Sequence, residues 1–349
     1  MNIYKNSISE FLRQSKKVWI ILFIVSLIGC GSKSDSDKLN FLKKGNIAYD
    51  NSEYNSALRY YNEGIKIDST FVDIWNNKGL TLMKLERYDE AIYCFNKAIS
   101  FKPEYGEALL NSARANLEVH QHFAALEQLE RLSKVWPDTS LLPFTAGLIY
   151  ADMGKNKEAI AEFKSALEKD SSNVETLVNL ANLYYKSSEL DTAIFCIERA
   201  MMLDASHPEA HNVLAMVYVE QEFYTDAYQT IMGAESLDSN PYILNNKGYI
   251  LYKLNRLDEA EEAVEQSMKM DPYNVWVYRN LGLIKEAKGL MTDAVRLLEK
   301  AFSMNNSIEN IHLDLARVQY NSGNAPRACE VLEMSNEAEA DKLSSEWCD

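Results

Sequence analysis

The side chains able to act as nucleophiles, proton carriers or metal ligands are few in this chain of 349 residues. Its five cysteines, Cys30, Cys94, Cys196, Cys329 and Cys348, form no CxxC pair, and the odd count suits neither a disulfide scaffold nor a zinc ribbon. Cys94, Cys196 and Cys329 fall on predicted helices far apart in the sequence, where a cysteine packs as a small hydrophobe. Cys348, close to the end, is the candidate reactive thiol. His207 and His211 are four apart, but Pro208 between them starts a helix, so hydrogen-bonded histidines are expected rather than a zinc pair. His211 and His312 fall at core positions, and His120 and His122 at a solvated turn. No GxSxG, P-loop or glycine-rich nucleotide loop occurs, and acid pairs such as Asp258-Glu259 and Glu261-Glu262 read as solvated helix faces. The expectation is a protein without catalytic residues, metal or cofactor.

The balance of the chain agrees. Its 51 acidic against 36 basic residues give a formal charge of -15, which argues against nucleic acid as a partner. An apolar share of 47% is that of a folded protein, while only 7 Pro and 13 Gly exclude a collagen-like or loop-dominated chain.

The first thirty residues read as an address. Lys5, Arg13, Lys16 and Lys17 precede the apolar run Val18 to Val25, too short to span a bilayer but suited to a signal peptide. The run ends in Leu27-Ile28-Gly29-Cys30, which resembles the lipobox of bacterial lipoproteins. That resemblance implies cleavage of residues 1–29 and acylation of Cys30, with palmitate among its chains, for a stable hold on the outer membrane. An uncleaved anchor, or a secreted protein with an incidental cysteine, is the alternative. Residues 30–37, including Ser32-Lys33-Ser34-Asp35-Ser36-Asp37, read as a polar tether. They also loosely resemble the surface-export signal of lipoproteins from the Bacteroidota, leaving periplasmic or surface exposure open.

From Lys38 onward one pattern recurs nine times. A small residue stands at Gly45, Gly79, Ala113, Gly147, Ala181, Ala215, Gly248, Gly282 and Ala316. Twelve residues later comes alanine in every copy, from Ala57 to Ala328, and four beyond that a large residue such as Tyr61, Phe95 or Phe163. The step is 34 residues, except for 33 between copies six and seven. Copy two carries the fullest set: Trp75, Gly79, Ala91, Phe95, Ala98 and Pro103. This pattern resembles the tetratricopeptide repeat, and the resemblance implies an all-α superhelical solenoid of about nine helix-turn-helix repeats. The copies run over about 38–71, 72–105, 106–139, 140–173, 174–207, 208–240, 241–274, 275–308 and 309–341, and residues 342–349 are a cap or a frayed tail. The missing residue near Asp238-Ser239-Asn240-Pro241 is expected to change the angle between copies six and seven.

In that family the first helix of each copy lines an inner groove. Copies one to six place acids there, among them Asp73, Glu118, Asp152 and Glu220. Copies seven to nine place Tyr242, Tyr249, Tyr252, Trp276 and Tyr320 with Lys253, Arg279 and Arg317, a single acid, Glu286, and amides including Asn245. Aromatic rings and arginines are efficient binding groups, so these residues form the candidate partner surface. Asn77, Asn111, Asn179, Asn246 and Asn280 share one register, consistent either with a carboxylate clamp or with a local structural hydrogen bond.

The reading that follows is a membrane-anchored scaffold binding a partner protein or peptide, in outer-membrane assembly, secretion or a surface machinery. A cell-wall or glycan-binding accessory module is the alternative.

Overall fold

A computed structural model describes residues 33–336 and 338–348, and among these the secondary structure is all α. The chain divides into two compact units, residues 1–115 and 116–349. Cys30 and residues 1–29, expected from the sequence to be a signal peptide, lie outside the described residues. The first unit contains α1 (Lys33–Asp50), α2 (Tyr54–Ile67), α3 (Val72–Lys84), α4 (Tyr88–Phe101) and most of α5 (Gly106–Glu118), whose last three residues fall past its boundary. The second contains α6 (His122–Val135), α7 (Leu141–Asp152), α8 (Asn156–Lys169), α9 (Val174–Lys186), α10 (Leu190–Leu203), α11 (Pro208–Glu220) and α12 (Tyr224–Leu237). It continues through α13 (Pro241–Lys253), α14 (Leu257–Met270), α15 (Val275–Ala287), α16 (Met291–Met304), α17 (Ile311–Asn321), α18 (Ala325–Glu333) and α19 (Ala338–Trp347). Among the described residues no helix is long and apolar enough to cross a membrane.

The repeated residues meet inside each hairpin. The recurring alanines are fully buried in all nine copies, because the first helix passes too close for any larger side chain. The large residue one turn later lies against the small residue of the first helix. A Cβ on Gly79 would fall 2.5 Å from the Phe95 ring, and one on Gly147 would fall 2.6 Å from Phe163. Each hairpin turn puts one residue in the left-handed region, as at Ser52, Glu86, His120 and Gly154. The amide of that residue and the one after it bond back to the helix end: Glu86 N to the Met83 carbonyl at 3.0 Å and Arg87 N to that of Leu82 at 2.9 Å.

In the second unit each helix packs on the next, and the first helices of adjacent copies also touch: α9 on α11, α11 on α13, α13 on α15 and α15 on α17. They are therefore the inner wall of that stack. Where the sequence drops one residue, the linker from α12 to α13 shortens to residues 238–240. The backbone compensates by straightening: Asn240 has ψ 165°, against 102° at Asn173 and 110° at His207 and Asn274.

Two features differ from the sequence reading, and at the end of the chain the described residues take the cap form of the two alternatives it left open. Residues 33–37, read as part of a tether, belong to α1, where Lys38 bridges Asp35 at 2.9 Å and Asp68 at 2.7 Å. Cys329 and Cys348, read as a packed hydrophobe and a reactive thiol, are joined in a disulfide with a Cα–Cα distance of 5.7 Å. Nothing local in the sequence pairs them; α19 folds back over α17 and α18 and brings the two ends together. Residues 342–347 are the later part of a helix that begins at Ala338, with Leu343 and Trp347 packed on the apolar cluster of copy nine. Cys94 and Cys196 remain free and buried, and burial pushes the Cys94 thiol up to about 11.

Candidate functional site

The final turns of α13 and α15, the face of α17 and the inner side of α19 enclose a groove of about 650 Å³. Five of the residues expected from the sequence line it: Tyr249, Tyr252, Lys253, Arg279 and Arg317. Tyr249 and Tyr252 stack with centroids 6.1 Å apart, and the Lys253 ammonium sits 5.4 Å from the Tyr249 centroid. Burial raises both phenols above their usual range, against the opposing pull of Arg279 on Tyr249 and Arg317 on Tyr252. Both rings are therefore neutral hydroxyl-bearing surfaces at ordinary pH.

The floor is a charge network. Arg279 Nε donates to Asp314 Oδ2 at 2.8 Å, and both side chains are buried. Arg317 grips Glu286 through two bonds of 3.0 and 2.9 Å, and its Nη2 also donates to Asp314 Oδ1 at 3.1 Å. Hydrogen bonding to Glu286, together with the Asp314 charge, holds the Arg317 guanidinium above its usual range. Two cations meet two carboxylates, so the arginines read from the sequence as free binding groups are neutralised in place. Lys253 differs: among the described residues no carboxylate lies within ion-pair distance of it, leaving an exposed ammonium at the rim.

The other expected residues lie elsewhere. Tyr242 and Trp276 are at the starts of α13 and α15, partly exposed, with Arg279 5.6 Å from the Trp276 ring. Asn245 is buried and accepts a hydrogen bond from Asn280 Nδ2 at 3.0 Å. Tyr320 stacks on Trp347 with centroids 4.4 Å apart. Glu339, Leu343 and Trp347, none of them expected, complete the lining from α19.

The asparagine register resolves into a ladder between neighbouring copies. Counting from the small residue of each first helix, an Asn two places before it donates to an Asn three places before it in the preceding copy. Asn111 donates to Asn76 at 2.9 Å, Asn246 to Asn212 at 2.9 Å and Asn280 to Asn245 at 3.0 Å. In copy one, Asn46 substitutes as acceptor for Asn77 at 2.9 Å. Where the preceding copy has Phe144 at that place, Asn179 turns back to its own helix and bonds the Glu175 carbonyl at 2.8 Å. The asparagines are thus structural, which favours the hydrogen-bond reading over the clamp. Arg279 and Asp314 occupy this same pair of positions, so the floor of the groove is a ladder rung made ionic. The clue was legible: an acid at the asparagine register of copy nine, with an arginine at the matching place in copy eight.

Of the remaining histidines, His207 caps α11 by accepting from Ala210 N at 3.3 Å, and His211 Nε2 lies 2.9 Å from the Ala205 carbonyl. Among the described residues, one cluster places histidine and carboxylate ligand atoms all within 4.8 Å of one another: His120, His122 and Asp152, on copies three and four.

Comparison with known proteins places the repeats. Tetratricopeptide-repeat profiles match residues 72–105 and 245–305, and a TPR-repeat profile matches 45–86 and 147–188. A profile described as anaphase-promoting complex, cyclosome, subunit 3 matches 186–267. The chain is 22% identical over 67% of its length to the TPR repeat-containing protein MJ1428 of Methanocaldococcus jannaschii, of which the match spans 43%. It is 23% identical over 89% of its length to a DnaJ homolog subfamily C member 7 homolog of Schizosaccharomyces pombe, of which it spans 74%. The fold is similar to that of a chain in the APC/C hetero-tetramer Cut9-Hcn1 (TM-score 0.66, 17% identity, 91% of this chain and 64% of that one). It is also similar to the human IFIT1 dimer with m7Gppp-AAAA (TM-score 0.57, 17% identity, 75% of this chain and 67% of that one).

Proposed function

We propose that this chain, which matches tetratricopeptide-repeat profiles over residues 45–105, 147–188 and 245–305, is a scaffold, anchored to the bacterial outer membrane through acylated Cys30, that holds a partner protein in the groove of copies seven to nine. The observation that carries the reading is the groove itself: a neutralised floor, two stacked neutral tyrosines, the Lys253 ammonium, unpaired among the described residues, and the Glu339 carboxylate on the α19 side. Such a surface suits an extended segment with an apolar or aromatic side chain beside a carboxylate. The Cys329–Cys348 disulfide supports export, since such bonds persist in oxidising compartments such as the envelope. The glycan-binding alternative calls for an exposed ring pair clear of basic groups, whereas Tyr249 and Tyr252 are half-buried beside Lys253.

One fractionation tests both parts. Native envelopes are first washed without detergent, then extracted gently, and the proteins co-purifying with the parent chain and with a Tyr252→Ala, Lys253→Glu variant are compared. The expected outcome is release only by detergent, and a partner recovered in stoichiometric amount with the parent but reduced at least tenfold with the variant at unchanged helicity. Release by the wash removes the anchor, and equal recovery with both chains removes the groove.

A further inference from the structure

The turn after α5 and the first residue of α6 carry two imidazoles that converge on one carboxylate oxygen of the next copy. His120 Nδ1 lies 2.7 Å and His122 Nε2 lies 2.6 Å from Asp152 Oδ2. We propose that His120, His122 and Asp152 form a binding site for a divalent transition metal of the zinc class, clipping copy three to copy four.

The backbone sets this up. His120 takes the left-handed position of the hairpin turn, with φ 54°, and His122 is the first residue of α6. The position between them lets the two rings approach the same point from different directions, tilted 58° to each other with centroids 6.0 Å apart. Asp152 is the last residue of α7, so its carboxylate sits beside the negative end of a helix dipole. A second negative feature at that point disfavours an anion and favours a cation.

Geometry and chemistry then select the metal. Two imidazole nitrogens and one carboxylate oxygen are a borderline-soft set that suits zinc, nickel or copper, whereas calcium and magnesium take all-oxygen shells. Coordination needs each ring to carry its proton on the other nitrogen, a tautomer change that leaves the net charge of each ring unaltered. Tetrahedral bonds of zinc length require nitrogen–oxygen separations of about 3.3 Å, so each contact opens by about 0.6 Å. The His120 ring is 73% exposed, which gives it room to move and leaves the fourth position to water or to a donor from a docked partner. Comparable turns in the other copies carry Ser52, Glu86, Ser188, Glu222 and Asn255 at the His120 position, so the site belongs to copies three and four alone among the described residues.

The test is calorimetric titration of zinc chloride into the full chain, purified in detergent through a tag other than polyhistidine. Parent, His122→Ala and Asp152→Asn chains are compared, with circular dichroism establishing that all three are folded. We expect one zinc per parent chain, binding at least tenfold weaker in each variant, a zinc-dependent rise in melting temperature for the parent only, and no heat with magnesium chloride. Absence of single-site binding in the parent overturns the proposal. So does binding left intact by both substitutions, which would place the metal elsewhere, or equal binding of magnesium.

Discussion

At the scale of single residues, the instructive case is Arg279. Its type and its place on an inner helix mark it as a ligand for a partner. Its position three places before Gly282 instead makes it the counterpart of Asn245, and it spends its charge on Asp314. A buried ion pair is costly to break from one side, because the survivor is left desolvated without a partner. Arg279→Ala and Asp314→Ala are each expected to lower stability by about 3–5 kcal/mol. Combining Arg279→Asn with Asp314→Asn restores the amide rung that copies seven and eight already use, and is expected to recover most of that loss. Urea denaturation of the parent and these three variants measures the loss and its recovery. A double variant no more stable than the single ones would show that an amide pair does not replace the ionic one. Lys253, by contrast, has no such structural duty and is the cleaner probe of binding.

At the scale of helices, the hairpin depends on a close approach that tolerates no added atom at particular points. Gly79→Ala places a methyl 2.5 Å from the Phe95 ring and is expected to cost about 1–3 kcal/mol. Gly233, in the interior of α12, is the reverse case, since a Cβ there meets only His211 Nδ1 at 3.8 Å. Gly233→Ala is expected to stabilise the chain by up to about 1 kcal/mol through helix propensity. A shift of the two urea midpoints in the same direction would contradict this packing account. The shortened linker at residues 238–240 belongs to the same scale. A deletion there is absorbed by one extended residue, Asn240, which caps α13 by accepting from Tyr242 N and Ile243 N at 3.0 Å each.

For the molecule as a whole, a stack of repeats has an exposed last face, and the second unit closes its own with α19. Leu343 and Trp347 cover the apolar cluster of copy nine, and the disulfide pins the end of the helix to α18. With the cysteines 19 positions apart in the sequence, the bond is expected to contribute about 3 kcal/mol, chiefly by restricting the unfolded segment. Because repeats hold mainly to their neighbours, the effect of Cys348→Ser is expected to stay local. Amide exchange should accelerate in α18 and α19 while α13 and α14 keep their protection. Uniform acceleration through the second unit would mean that the cap governs the entire stack, and unchanged exchange in α19 that the disulfide adds nothing.

The sequence by itself determined the fold class, because the repeat writes its packing into fixed spacings: an Ala that must be small, a large residue one turn later, and a turn between them. Those contacts span at most a few helical turns within one hairpin, so position in the chain is enough to reveal them. It also pointed to the inner helices of copies seven to nine, since aromatic and basic side chains gather there in the primary structure. What only the tertiary structure decided were relations between copies. The Asn ladder, its ionic rung at Arg279 and Asp314, the meeting of His120 and His122 with Asp152, and the Cys329–Cys348 bond each join residues from 19 to 35 places apart. Which side chains face each other across such a distance depends on how one helix lies on the next. That angle is set by the summed packing of many side chains and is carried by no single motif.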